Sequence, residues 1–410
     1  SILTLAALVA AAYITLNMFF SKNKLTPRIR ILSQSFAIFR VVGLTLNIIL
    51  LSCTIWKLRS AKVQATDSGH LNMGQAKMLL VLMAASILVY SLFTGLIYFA
   101  QEPWHLCVVR FIAALGMGGE WSLGIALVME VWPEKHRPLM AGIIGAAANV
   151  GFALIAVFAI FFKVTIDSWR WVALIGAAPA LLTFGFRLFV PESEKWQAAV
   201  KASPTKIRPL QEISGPQLWR TTLIATALTS VALIGTWGSV QWLPLWADKM
   251  AGAADPSAKG WTGLASGFGA VVGCLAGAWI GGFVRRRTMF FLLCLGSLVT
   301  CAILFRGFDS YGPAFLTMVF VVGALTASFY GFFPLYLPEL FPTRVRATGQ
   351  GLSYNAGRIL AAAGALQMSA LMGMFDGSYA KAGAIITLVY LVGMVVIWLA
   401  PETKGKPLPE

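Results

Sequence analysis

The sequence predicts an all-α membrane protein of twelve spanning helices, arranged as two six-helix bundles related by a pseudo-two-fold axis, with the first two helices atypical. Three observations predict it. Of the 410 residues, 58% are hydrophobic and 12% are charged, and the mean hydropathy is +0.77, far more apolar side chain than a soluble core can hide. Apolar runs of about 20 residues, the length that crosses about 30 Å of hydrocarbon as a helix, recur along the whole chain. The polar stretch EVWPEKHR from Glu130 returns as ELFPTRVR from Glu339, an offset of 209 residues, and VPESEK from Val190 returns as APETKG from Ala400. A repeat of that length is the mark of a duplicated half-molecule.

The first bundle is expected over 1–190, with spans at 2–20, 36–56, 78–99, 105–131, 138–162 and 171–190. No basic segment precedes the run at 2–20, so it reads as a span or the remains of one and not as a cleaved signal peptide. That run and 36–56 contain no acid, and the loop between them carries Lys22, Lys24, Arg28 and Arg30. Moving the repeat back by 210 lays 261–284 over 51–74, a window that is half polar. The first 77 residues are therefore expected to be divergent, truncated or mistranslated. The polar, proline-bearing stretch 191–220 reads as a cytoplasmic linker. The second bundle follows over 221–410, with spans at 221–246, 261–284, 289–305, 313–336, 347–374 and 382–399 and a short cytoplasmic tail. Six helices, a linker and six helices suit parallel repeats with a solute site between the halves.

The net charge of +16 has a topological cause. With both termini cytoplasmic, the inner loops and tail hold 18 of the 32 Lys and Arg, the outer loops ten and the spans four, which follows the positive-inside rule and excludes nucleic acid as the partner. The five cysteines lie in apolar runs without metal-ligand spacing and read as packing residues, so no metal or other cofactor is expected. His70, His105 and His136 fall at helix ends or in loops, and no nucleophile elbow or phosphate loop accompanies them, which argues against an enzyme.

Six motifs occur in order at helix ends: RFIAALGMGGEWSLG from Arg110, the Glu130 block, VPESEKW, GGFVRRR from Gly281, PELFPTRVRATGQG from Pro338 and PETKGKPLPE from Pro401. Over about residues 78–410 they resemble the major facilitator superfamily, most closely its sugar porters and organic-acid:proton symporters. The resemblance implies a monomeric inner-membrane transporter that moves a small organic anion or sugar by alternating access, with protons as the coupling partner. A passive facilitator or a non-transporting receptor on the same fold is the alternative.

Few charges sit inside the spans, where each costs at least ~2.5 kcal/mol and is kept for a cavity or a partner. Glu120 is the one acid deep in a span, about 24 Å along its helix from Trp104. Burial raises a carboxyl pKa toward neutrality, so Glu120 is the candidate proton-coupling residue, against a static hydrogen-bonded contact. Arg110, on the same helix, matches an Arg that answers a first-helix acid in related sugar porters. That acid is missing here, which leaves Arg110 unpaired or bound to a carbonyl. Gly116, Gly118 and Gly119 read as close-packing positions. Arg358 lies about 16 Å into its span, near the midplane, and its planar fork suits a substrate carboxylate, a structural brace being the duller use. Asn149 and Asn355 occupy matching places in GAAANVG and GLSYNAG, at an offset of 206, and either bond a solute or bond neighbouring helices. Trp237, Gln241, Trp242 and Tyr330 would suit a small ring or sugar, whereas Trp246 reads as an interface anchor. The duplicated blocks place Glu130 with Arg137 and Glu339 with Arg346. With Glu192, Glu402, Arg285, Arg286 and Arg287 they are expected to form a cytoplasmic gate of exchangeable ion pairs.

Overall fold

A computed structural model of the protein describes residues 73–161, 170, 171, 174, 209–252, 254–342 and 345–409. The spans expected at 2–20 and 36–56, nearly all of the one at 171–190, and Glu192 lie outside these residues. For Glu120 and Glu130 the backbone is described and the side chain is not.

The described residues form helices and no strand. We label them α1 (Met73–Leu96), α2 (Pro103–Val131), α3 (Arg137–Phe161), α4 (Pro209–Ile213), α5 (Trp219–Gly238), α6 (Leu243–Ala251), α7 (Ala258–Phe283), α8 (Arg286–Gly307), α9 (Pro313–Tyr336), α10 (Arg346–Met374), α11 (Tyr379–Ile386) and α12 (Val389–Val396). Six stretches are long and apolar enough to cross a membrane: Arg137–Val157, Trp219–Ala251, Ala258–Phe283, Arg286–Gly307, Pro313–Leu340 and Tyr379–Leu399. Shorter apolar segments, Ala85–Phe99 and Pro103–Gly116, lie on α1 and α2.

Local sequence explains where the helices begin and break. Pro103 opens α2, and Glu102 and His105 cap that end reciprocally, side chain to backbone. The span expected to run unbroken over 221–246 ends its α-helix at Gly238, passes through a 3-10 turn over Val240–Trp242 and resumes as α6. Pro244, in the first turn of α6, has no N–H to return to the carbonyl four residues back, so an uninterrupted ladder is impossible there. The far end of the expected linker also has structure. Helix α4 packs on α10, Ile213 is buried and its carbonyl accepts a 2.9 Å bond from the Thr222 hydroxyl, so this part is tied to the helices that follow.

Two packing relations matter for function. Helix α7 lies against both α3 and α9, and α5 lies against α10. Contacts between the N- and C-terminal halves of the chain then occur in matched pairs. Gly145 of α3 abuts the backbone at Tyr330 and Gly331 of α9, and Gly351 of α10 abuts Ser122 of α2. Under the repeat, α2 corresponds to α9 and α3 to α10, so the same pairing appears with the halves exchanged. Within the C-terminal half Phe290, Phe329, Phe332, Phe333, Tyr336 and Tyr390 form a fully buried aromatic core. Trp246 belongs to it: only 7% exposed, it packs against Phe305 and Phe315 with ring centroids 5.7 and 5.3 Å away, which corrects its expected role as an interface anchor.

Candidate functional site

Arg358 projects from the middle of α10 and is half-buried. Its guanidinium lies over the ring of Tyr354, one helical turn earlier, 5.0 Å from the centroid, and Nη1 makes a long 3.5 Å contact with Asn355 Oδ1. Among the described residues no carboxylate pairs with it. The other face of Tyr354 is covered by Trp121 of α2, with centroids 3.9 Å apart and planes inclined by 17°. One turn below, Gln350 Nε2 donates to the Ser122 carbonyl at 2.7 Å, and Gln350 Oε1 is buried with no donor.

Asn149 and Asn355 behave alike, as their shared place in the repeat requires. Each amide donates to the glycine carbonyl one turn earlier, Gly145 at 3.1 Å and Gly351 at 2.9 Å. Asn149 also reaches Cys274 Sγ on α7 at 3.4 Å, so part of its capacity is spent between helices. Tyr330 turns its hydroxyl toward Thr236 and Trp237 of α5 without meeting hydrogen-bond geometry, and that oxygen is buried. Tyr330 also packs against the small buried cluster that contains Cys274. Asn149 and Tyr330 thus meet around Cys274, with Trp237 near Tyr330, while Asn355 and Arg358 lie side by side on α10.

Trp242 is elsewhere. It packs, like Leu371 and Met372 of α10, against Ala382 and Ile386, roughly 20 Å along α10 from Arg358 at 1.5 Å per residue. Its indole N–H is buried and unpartnered, and half-buried Gln241 precedes it in the same turn. Arg110 is half-buried on α2 and has an interaction partner, so of its two expected readings the unpaired one falls and the bound one stands. Gly116 meets the backbone at Ser86 and Tyr90 of α1, as a close-packing glycine should. Trp121 and Tyr354 were not among the expected site residues. Trp121 did carry a signal: it follows Glu120 directly, and the 209-residue offset carries it onto Tyr330.

The duplicated block builds the same backbone contact twice. Arg137 Nε donates to the Met129 carbonyl at 2.9 Å, and Arg346 Nε to the Pro338 carbonyl at 3.1 Å. In both copies the arginine that opens one helix reaches back eight residues, to the carbonyl just before the motif glutamate. Arg346 is 1% exposed and extends Nη2 to the Pro409 carbonyl at 2.8 Å.

The remaining charges make fixed contacts inside the C-terminal half. Arg286 grips Glu339 side-on, Nε to Oε2 at 2.9 Å and Nη2 to Oε1 at 2.7 Å, with the two side chains only 7% and 12% exposed. Thr403 Oγ1 donates to the same Glu339 Oε2 at 2.6 Å. Glu402 accepts the backbone N–H groups of Arg286 at 2.9 Å and Arg287 at 3.2 Å, capping the start of α8, and Arg287 Nε donates to the Ala400 carbonyl. Partial burial raises the Glu402 carboxyl pKa, but the N–H groups of Arg286, Lys404 and Arg287, together with the Arg286 charge, outweigh it and hold it below the usual range. Arg285 is exposed as the N-cap of α8. The exchangeable surface pairs expected between the bundles are, for Arg286 and Glu339, a buried brace within one half, and for Glu402 a partly buried cap on α8, because burial and backbone donors fix what solvent would leave loose.

The sequence model of the family described as Major Facilitator Superfamily matches residues 72–365. The chain is 31% identical to a metabolite transport protein of Haemophilus influenzae over 79% of this chain and 80% of that one. It is 29% identical to an inner membrane metabolite transport protein of Escherichia coli, covering 79% and 76%. It is 26% identical to a niacin transporter of Acinetobacter baylyi, covering 79% of each chain.

Proposed function

The chain belongs to the Major Facilitator Superfamily and is a multi-pass membrane transporter of small solutes, not an enzyme, and from this premise we propose that it carries a small organic anion by proton-coupled alternating access. One observation carries the anion reading. Arg358 sits in the middle of α10, which the sequence reads as a span, pairs with no carboxylate among the described residues, and rests its guanidinium on Tyr354. A guanidinium at that depth is retained where it meets a partner, and its edge is free to take a carboxylate in two parallel bonds. Asn355, Asn149, Trp237 and Tyr330 would complete the pocket, with the buried Tyr330 hydroxyl as a hydrogen-bond donor to the solute. Glu120 would carry the proton. The protein would work as a monomer in the cytoplasmic membrane, with two six-helix bundles and both termini inside.

Niacin, the cargo named for one relative, is a suitable probe because its uncharged amide has nearly the same shape. In proteoliposomes the acid should enter and the amide should not. Arg358→Lys keeps the charge but loses the fork and should raise the half-saturation concentration about tenfold, with Arg358→Ala worse, since a charged hydrogen bond is worth about 1.5 to 3 kcal/mol. Uptake indifferent to substrate charge would reduce Arg358 to a brace. A pH gradient, acid outside, should drive accumulation that Glu120→Gln abolishes while exchange persists. Equilibration without accumulation would identify a passive facilitator.

A further inference from the structure

The stack of Trp121 on Tyr354 crosses between α2 and α10, helices from opposite halves of the chain, and its far face carries Arg358. It lies one turn, about 6 Å, from Arg358 toward the Arg346 end of α10, which the proposed topology places at the cytoplasm. The next turn in that direction is also closed: Gln350 donates to the Ser122 carbonyl, and Gly351 packs so closely on Ser122 that a methyl group there would press on the serine side chain. Tyr354 is 5% exposed and Gln350 fully buried. An aromatic pair with a cation on its outer face is mutually supporting, because the ring face that holds the guanidinium is itself held flat by the second ring.

Resting on the anion reading above, we propose that Trp121 and Tyr354 form the inner gate of the transport path and that Tyr354 is a positioning residue for Arg358. While α2 and α10 touch, Trp121 clamps Tyr354, Tyr354 orients the guanidinium, and the anion site is complete but sealed from the cytoplasm. When the helices part, the path opens and the same movement releases Arg358 from its backing, so the anion is held more weakly on the side where it must leave. Closure and affinity are thereby one event.

Ser122, buried immediately below the stack, reports the gate without reference to any substrate. Ser122→Cys should react slowly with a charged maleimide added to inside-out vesicles, measured against the same proteins lacking the new cysteine. Trp121→Leu and Tyr354→Leu should speed that reaction about three- to tenfold, the size expected for losing one aromatic pair, while Trp121→Phe and Tyr354→Phe, which keep a ring, should stay within about twofold of the parent. In uptake assays with niacin both leucine variants should raise the half-saturation concentration by a similar factor, the phenylalanine variants restoring it, and niacin should slow labelling of the parent. Equal labelling rates in all variants would overturn the gate. Faster labelling with unchanged half-saturation would overturn the positioning of Arg358. If the parent neither transports niacin nor is protected by it, the anion reading and the coupling both fail, and the labelling comparison alone still decides whether the stack is a gate.

Discussion

Arg286 and Glu339 form a buried, bidentate pair, and the value of such a pair lies in its completeness. Taking two charges from water costs nearly what their attraction returns, but removing one strands the other, at about 3 to 5 kcal/mol. Glu339→Ala should therefore lower the melting temperature of the detergent-purified protein sharply. The double change Arg286→Met with Glu339→Leu should recover most of the loss, and a double variant as unstable as the single one would show that the pair does more than satisfy itself. Glu402 gives a pH effect of definite sign. Its folded pKa lies below the ordinary carboxylate value, so its contribution is present above that value and disappears as pH falls through the folded one. The melting temperature of the parent should drop between about pH 5 and pH 3 more steeply than that of Glu402→Gln, the two curves converging in acid. Parallel curves would remove Glu402 from the α8 cap. The repeat made Arg137 and Arg346 visible in the sequence, yet their partners were not legible: a sequence displays side-chain charges, whereas Met129 and Pro338 contribute backbone carbonyls whose direction only the fold determines.

Helices α7 and α9 are held mainly by backbone proximity, with one ring contact, Phe268 to Phe320, beside it. Gly269, Gly273 and Gly277 present the same face of α7 to Phe320, Ala324 and Ser328, each a four-residue series, and Gly323 and Gly331 return the contact to Ser266 and Cys274. The Ser328 hydroxyl crosses the seam to the Gly273 carbonyl at 2.9 Å. In a bilayer, where burying apolar surface against a helix gains little over lipid, such contact is what holds two helices together. A methyl group on Gly273 would meet the Ala324 backbone, which cannot turn aside, so Gly273→Ala should cost about 1 to 3 kcal/mol and lower the melting temperature. Gly296 is the control. A methyl there would meet only Leu325 side-chain atoms 3.5 Å away, and Gly296→Ala should be nearly silent. Hydropathy located α9 closely, because length and apolarity define a span. It missed the break after Gly238, because the interruption lies in the hydrogen-bond ladder at Pro244 and leaves the apolar character of the run intact. Trp246 misled for a related reason: position at a span end suggests a membrane interface, but the break folds that end back onto Phe305 and Phe315.

At the scale of the whole molecule the duplication is expressed in matched contacts. The Arg137 and Arg346 bonds repeat at one offset, the Asn149 and Asn355 bonds at another, and α3 meets α9 as α10 meets α2. Parallel halves related by an axis along the membrane normal must present equivalent loops to the same side, so the two proline-bearing blocks should share a face. We propose that this face is the cytoplasmic one, since Lys and Arg gather in the loops on that side. Single cysteines at Lys135, Arg285 and Lys404 should therefore react with a membrane-impermeant maleimide only in inside-out vesicles, and cysteines at Gln101 and Lys249 only in intact cells. All five positions are exposed or half-buried and lie at or beyond helix ends, so burial should not mask the result. Labelling of Lys135→Cys and Lys404→Cys from opposite sides would break the parallel-repeat arrangement, because no rotation about the membrane normal can exchange the two faces. With it would fall the inward direction assigned to the Trp121 and Tyr354 gate, which depends on Arg346 opening α10 at the cytoplasm.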